Sequence, residues 1–477
     1  RQMGGWQLSP YELDGDTAIL SKREASSRFY TNIVNQHFTY SPTKQLKLYA
    51  QGGYFDRKVI RPVEKTKNDG GYTYDLTYMD YNIGAGGRYQ LNETDYLSLD
   101  FYVDNYEYNK LYTVAQVSKK DTTFRVGDEE LTKRQKYYNA NLKGVFKLGD
   151  YNKISVGTEY TNDYMKNPGN LEKPEGIYTF ALYAQDEIRL WKNLQILPGF
   201  RYVYNEMFKN SFTPKIALMY TLGNFNFRAS YAAGFKTPSI QELYYDYENR
   251  GAITVGNPDL KPEKANYYNI NVEYAGKYLN ISANGYINDV KDIIEKYDIG
   301  ATDEEKANGI KTHNMYQNLD KASIKGFDIS ANSYLGAGFS AAGSYNCVYA
   351  ADDSGHRLSE SVRHAATFRA GWSHEWNKYT LRANVNGRIQ GSKYIYKKTT
   401  DKKTGEDIYT DVSAPKYQLW NFATTHTFAP VGNFLFEINA GIDNLFDWTD
   451  DRPSGVNYAT LNPGRTLFAS LIIRFTK

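Results

Sequence analysis

Polarity alternates residue by residue through most of this chain, and the polar set includes arginines. In Tyr379–Gln390, Leu381, Ala383, Val385, Gly387 and Ile389 fall on one face of an extended segment, while Arg382, Asn384, Asn386, Arg388 and Gln390 fall on the other. A period of two marks a β-strand whose faces meet different surroundings. Two arginines sharing a face with asparagines and a glutamine cannot line a dry interior, so that face meets water. The same pattern sets Leu97, Leu99, Phe101 and Val103 against Ser98, Asp100, Tyr102 and Asp104, and Leu279, Ile281 and Ala283 against Asn280, Ser282 and Asn284. It also sets Phe225, Phe227, Ala229 and Tyr231 against Asn226, Arg228 and Ser230. The blocks run for about ten residues, the length a tilted strand needs to cross a bilayer.

The connections between blocks alternate in length. Short ones carry hairpin-turn residues: Ser41-Pro42-Thr43, Asn92 to Asp95, Leu148-Gly149-Asp150, Trp191-Lys192-Asn193, Leu222-Gly223-Asn224, Ala275-Gly276-Lys277, Gly336-Ala337-Gly338, Trp376-Asn377-Lys378 and Val431-Gly432-Asn433. Between them lie long polar stretches, roughly 61–71, 110–134, 166–176, 236–264, 297–314, 397–415 and 447–463. Short turns at one end and long loops at the other are the pattern of an outer-membrane barrel, periplasmic and extracellular respectively. Counting this way gives roughly nineteen strands from Ser26 onward, with residues 1–25 expected to form a surface loop or part of one more strand. Single-chain bacterial barrels have even strand numbers and leave no open edge in lipid, so the chain reads as N-terminally incomplete.

Composition agrees. Tyrosine supplies 45 residues against 23 phenylalanines, while the mean hydropathy is −0.65. A polar average with many tyrosines arises when lumen-facing and lipid-facing residues alternate and aromatic girdles mark both interfaces. A soluble sandwich array or β-solenoid is the alternative that composition alone leaves open. No run is long and apolar enough for a membrane helix. The single cysteine, Cys347, excludes an intrachain disulfide framework, and a net charge of +3 gives no nucleic-acid footprint.

Two stretches flank the long loop after Phe235: RASYAAGFKTPSIQELYY before it and GNPDLKPEKANYYNINVEY after it. This pair resembles the "FRAP…ELY" and "NPDLxPE" boxes of TonB-dependent outer-membrane receptors. The matching positions are Gly234, Phe235, Pro238, Glu242, Leu243 and Tyr244, then Asn257, Pro258, Leu260, Pro262 and Glu263. KGFDIS at Lys325–Ser330, GIDNLFD at Gly441–Asp447 and NPGRTLFASLIIRF at Asn462–Phe475 follow in the family's order. The prolines cannot donate to a β-ladder and belong where strands end, an architectural role needing no ligand. In the last segment Leu467, Ala469, Leu471, Ile473 and Phe475 should face lipid, with Ser470 and Arg474 inward. Phe475 stands where family members place a C-terminal aromatic assembly signal, although Thr476 and Lys477 follow it.

The resemblance implies an antiparallel transmembrane β-barrel of about 22 strands, spanning residues 26–477 here and integral to the outer membrane of a Gram-negative bacterium. In the family an N-terminal plug and TonB box precede the barrel; neither lies in this sequence. It also implies active import of a scarce chelate such as heme, a ferric siderophore or cobalamin. The ligand would carry iron or cobalt, and no intrinsic cofactor is expected. TonB with ExbB/ExbD, acting through the region N-terminal to the barrel, and outer-membrane lipids are the implied partners. A ligand-delivering surface lipoprotein is a further candidate, and nucleic acid is not expected.

Candidate ligand residues lie in the long loops. Tyr244, Tyr245, Tyr247, Asn249 and Arg250 form an aromatic run with one cation, the mixture that holds large planar or macrocyclic ligands; a girdle at the lipid headgroups is the competing reading of Tyr244 and Tyr245. His313 and Tyr316, Tyr394 and Tyr396, and Trp448 and Arg452 are the others. In heme receptors of the family this chain resembles, a histidine often stands between the two boxes; none stands between Phe235 and Asn257 here, which counts against heme, although a tyrosine or His313 is the alternative ligand. No catalytic motif is present: the six histidines (His37, His313, His356, His364, His374, His426) lack metal spacing, and Ser361 and His364 point to opposite faces of a strand. A passive channel or adhesin barrel is the rival reading, and a barrel enzyme the next.

Overall fold

The computed structural model describes residues 2–3, 6–7, 11–14, 17–20, 24–61, 73–117, 123–249, 251–358, 361–400, 407–449, 462 and 464–475. One 22-stranded sheet dominates it. Nineteen long strands make the wall: β1 (Arg28–Tyr40), β2 (Leu46–Ile60), β3 (Tyr74–Gln90), β4 (Tyr96–Tyr112), β5 (Glu129–Leu148), β6 (Asn152–Lys166), β7 (Glu175–Trp191), β8 (Leu194–Asn205), β9 (Lys209–Leu222), β10 (Phe225–Lys236), β11 (Glu263–Ala275), β12 (Leu279–Asp298), β13 (Thr312–Gly336), β14 (Phe339–Asp352), β15 (His364–Trp376), β16 (Tyr379–Gln390), β17 (Tyr417–Phe428), β18 (Phe434–Asp443) and β19 (Thr466–Phe475). Each pairs antiparallel with the next from β1 to β19. Three short pieces complete the sheet: Gln2–Met3 against β1, and the hairpin Asp246–Asn249 with Ala252–Val255, the latter parallel to the start of β13.

The two faces differ as the sequence pattern requires. Ile83, Phe101, Leu142, Phe227, Ile270 and Ile329 project outward and stay exposed, a band that only lipid can cover. The inward face is tied by side-chain hydrogen bonds within the wall, between adjacent strands or reaching over one strand. Tyr49 donates to Asp100 at 2.6 Å, Arg228 to Glu273 at 2.7 Å and to Asn271 at 3.0 Å, Asn271 to Ser282 at 2.8 Å, and Thr425 to Asn439 at 2.7 Å. Arg201 meets Glu159 across two strands. Ser470 and Arg474 face inward, Arg474 reaching Glu437 at 3.8 Å. Glycines make room for rings lying across the neighbouring strand: a Cβ on Gly157 would fall 2.4 Å from the Tyr183 ring.

Some of the long connections hold more strand than the sequence suggested. β4 runs to Tyr112 and β5 begins at Glu129, so much of the expected 110–134 loop is strand. Likewise Lys393–Thr400 pairs with Asp407–Ala414, a hairpin that takes up much of the expected 397–415 loop. The reason is that a strand already paired with a neighbour continues past the lipid as long as that neighbour does. The 297–314 connection holds a one-turn helix, α2 (Asp303–Ala307), capped by Thr302 and Glu305.

Candidate functional site

The 237–262 loop folds inward across the mouth. Its helix α1 (Ile240–Tyr244) begins with a capping box: Ser239 Oγ accepts from Glu242 N at 3.2 Å, and Glu242 Oε2 accepts from Ser239 N at 2.7 Å. Leu243 is fully buried, in a cluster with Ile240, Tyr245 and Leu260 from the loop, Met165, Leu171 and Ile177 from β6, β7 and their connection, and Ile294 from β12. The loop thus touches the wall both before and after its own strands. Gly256 lies against the end of α1, where a Cβ would meet Leu243 C and Tyr244 N at 2.5 Å.

Both family boxes are explained by this packing. Glu242 caps α1 and approaches Lys236 at 3.5 Å. Glu263 accepts from Lys236 Nζ at 2.9 Å and from Ile294 N at 3.1 Å. Asn257 donates to Tyr316 O at 3.0 Å and accepts from Asp259 N at 2.9 Å. Pro238 and Leu260 are buried, whereas Pro258 is exposed. In the GIDNLFD box, Asn444 takes a left-handed φ of 54°. Its Nδ2 donates to Trp448 O at 2.7 Å and to Asn462 Oδ1 at 3.0 Å, so the box locks the exit of β18 to the entry of β19.

The residues expected to bind ligand are scattered by this arrangement. Tyr245 is buried, with Asn167 Nδ2 donating to its hydroxyl at 3.0 Å, and burial raises its pKa above the ordinary phenol value. It is a packing residue. Tyr244 and Tyr247 pack partly against the same cluster, and Asn249 is exposed. Tyr316 also borders the cluster, and His313 Nδ1 lies 2.8 Å from Glu305. Tyr394 is stacked under Arg357 at 4.1 Å, and Trp448 against Tyr417 at 5.2 Å. Arg250, Arg452 and the Tyr396 side chain lie outside the described residues.

The strongest cluster at the mouth is one the loop-centred reading missed. On the inward face of β2 to β5, at their long-loop ends, Tyr78 stacks on Tyr108 at 5.0 Å. Arg61 and Lys110 sit over Tyr74 at 5.0 and 5.3 Å, and Lys133 sits over Tyr106 at 5.6 Å. Arg57 is held over Phe29 and Phe55 at 4.8 and 5.4 Å, donating through Nε to Thr31 at 3.0 Å. A cavity of about 450 Å³ opens beside this wall, between Tyr106, Tyr137, Asp163 and Asn205 and the start of α1. Even spacing of Tyr106, Tyr108, Lys110 and Tyr112, and of Arg57 and Arg61, would have placed them on one face from sequence.

The profile of the "TonB dependent receptor-like, beta-barrel" family matches residues 5–445. The chain belongs to that family. It is therefore an integral outer-membrane barrel, of a family of receptors and transporters rather than enzymes. Among curated relatives it is 23% identical over 400 residues to the ferric enterobactin receptor of Pseudomonas aeruginosa, covering 71% of this chain and 52% of that protein. The chain thus spans about half the length of that relative. Solved structures of similar fold include a mutant ferric enterobactin receptor (PfeA) from P. aeruginosa, with a TM-score of 0.73, 17% identity and coverage of 94% of this chain and 70% of the other. The siderophore receptor PirA from Acinetobacter baumannii gives 0.72, 15%, 94% and 71%. The copper transporter OprC gives 0.69, 13%, 95% and 73%, so likeness of fold does not select the cargo.

Proposed function

We propose that this barrel imports an anionic ferric siderophore, with energy supplied by TonB. The observation that carries the reading is the inward wall at the mouth, where Arg57, Arg61 and Lys133 interleave with Tyr74, Tyr78, Tyr106 and Tyr108. Guanidinium and ammonium groups neutralise a negatively charged chelate, while tyrosine faces pack its rings. The relatives named for ferric enterobactin and siderophores support the same ligand class. Among the described residues no three of His, Cys, Asp and Glu are grouped so as to hold a metal ion. For heme, the mouth histidine His313 is engaged by Glu305, and for cobalamin the cationic wall has no evident role.

Coupling through ExbB/ExbD belongs to the same proposal, with the TonB-contacting element N-terminal to the barrel. The test uses purified full-length receptor and the Arg57→Gln, Arg61→Gln, Lys133→Gln triple variant. Wild type should bind a ferric tris-catecholate in a salt-sensitive manner. The variant should lose at least about a hundredfold, since such anchors each commonly contribute about 2 kcal/mol. Uptake should cease in a strain lacking TonB. Tight binding of heme or cobalamin with none of the ferric siderophore would sink the reading.

A further inference from the structure

On the outer surface, at the extracellular ends of three adjacent strands, lysines stand side by side. Lys264 on β11 is registered opposite Lys291 on β12, and Lys291 opposite Lys321 on β13. Directly opposed residues have Cβ atoms about 5 Å apart. Their chain neighbours Val290 and Ala322 are buried inside the wall, so the three lysines point outward, and all are exposed. Four residues along each strand, below an intervening outward row of Asn266, Asp289 and Ser323, Tyr268, Ile287, Lys325 and Tyr349 form a further outward row, continuous with Ile270, Phe327 and Ile329 of the lipid-facing band. Arg363 lies over the Tyr349 ring at 5.8 Å.

The surrounding charges leave this row basic. Asp289, in the row between, accepts from Ser323 Oγ at 2.7 Å, and the exposed Asp353, next in sequence after the Asp352–Ala322 pair, stands on the Lys321 side without an ion pair to it among the described residues, so three lysines face two carboxylates. None of Lys264, Lys291, Lys321 and Lys325 has an acidic partner among the described residues. Three like charges abreast on neighbouring strands repel one another. Elsewhere the wall matches charges: Lys58 meets Asp75 at 3.1 Å and Arg134 meets Glu107 at 2.7 Å. An unmatched row just above the lipid band is where an anionic headgroup would remove the repulsion.

We propose that Lys264, Lys291 and Lys321 form a docking site for a phosphorylated lipid headgroup of the outer leaflet, with the acyl chains lying on the aromatic and aliphatic band below. The row spans about two inter-strand spacings, close to 10 Å, which suits a headgroup carrying two separated phosphates. Lys325 and Arg363 stand lower, at the depth of the headgroup's inner edge. The proposal needs the barrel in its membrane and is independent of the cargo.

The test is lipid retention by the full-length, detergent-purified protein, read by native mass spectrometry after incubation with diphosphoryl lipid A or its dephosphorylated form. Each basic side chain near an anionic surface is worth about a fivefold gain in affinity. The Lys264→Gln, Lys291→Gln, Lys321→Gln variant should therefore retain the diphosphoryl lipid about a hundredfold less well, with unchanged heat-modifiable migration. A control with Lys192→Gln, Lys277→Gln, Lys378→Gln, the same charge loss at the short-turn end, should keep it. Equal retention of both lipids by wild type, equal loss in the control, or displacement by an equal concentration of inorganic phosphate would each overturn the site.

Discussion

Asn167 and Tyr245 are joined by a hydrogen bond of 3.0 Å, between the β6–β7 connection and the loop that crosses the mouth. That bond, with Tyr245 donating to Met165 Sδ at 3.2 Å, fixes the inward position of the loop. Tyr245→Phe should cost the loop about 1 kcal/mol, the net worth of one hydrogen bond. Tyr245→Ala should cost about 3–5 kcal/mol by leaving a cavity. Limited proteolysis at Asp246–Asn249 reads the loop's release; equal cleavage of both variants would refute the packing role.

Gly256→Ala should dislodge the same loop by a different route. Its Cβ would strike backbone atoms of α1, which cannot rotate away, at a cost of about 1–3 kcal/mol. Gly285→Ala, whose Cβ would meet nothing within 4 Å, is the matched control. Identical protease sensitivity of the two would count against the close approach.

Facing can be tested on one strand. Ile389 lies on the outward face of β16 and Asn386 on the inward face, accepting from Arg369 Nε at 2.9 Å. Ile389→Arg should impair barrel assembly by up to about 2–4 kcal/mol, depending on depth. Asn386→Asp should assemble normally, because it places a carboxylate beside Arg369. Heat-modifiable migration measures both, and equal defects would show the faces to be misassigned.

The α2 connection should loosen in acid. Glu305 is held below the usual carboxylate range by the Thr302 N–H it accepts, aided by His313. A depressed carboxylate contributes stability that is present above its ordinary value of 4.5 and lost as pH falls through the lower folded value. Hydrogen exchange at Asn308–Thr312 should therefore accelerate as pH drops below about 4.5, after correction for intrinsic rates. Glu305→Gln should abolish that step, and an unchanged step in the variant would assign it elsewhere.

The wall was legible because lipid on one side and water on the other imprint a period of two that no loop detail disturbs. Leu381 to Ile389, Phe225 to Tyr231 and the short turns all sit where that period put them. The mouth was harder to read. Tyr245 is aromatic, in a loop and beside a cation in sequence, which are the marks of a binding residue; its burial follows from the loop turning inward, a tertiary event with no local signature. Arg57 and Tyr108 escaped for the converse reason, since they stand on strands and were counted as wall, while Arg61, at the start of an expected loop, carried no aromatic neighbour in sequence to single it out. Gly256 carries no signal of its own, because the close approach it permits involves residues of another element.

β13 runs 25 residues, from Thr312 to Gly336, where crossing the bilayer takes about 9–11. At about 3.3 Å per residue and a tilt near 45°, the excess lifts the rim on the order of 30 Å above the lipid. A particle held that far off the lipid surface can still touch this protein, because its rim stands well away from the membrane.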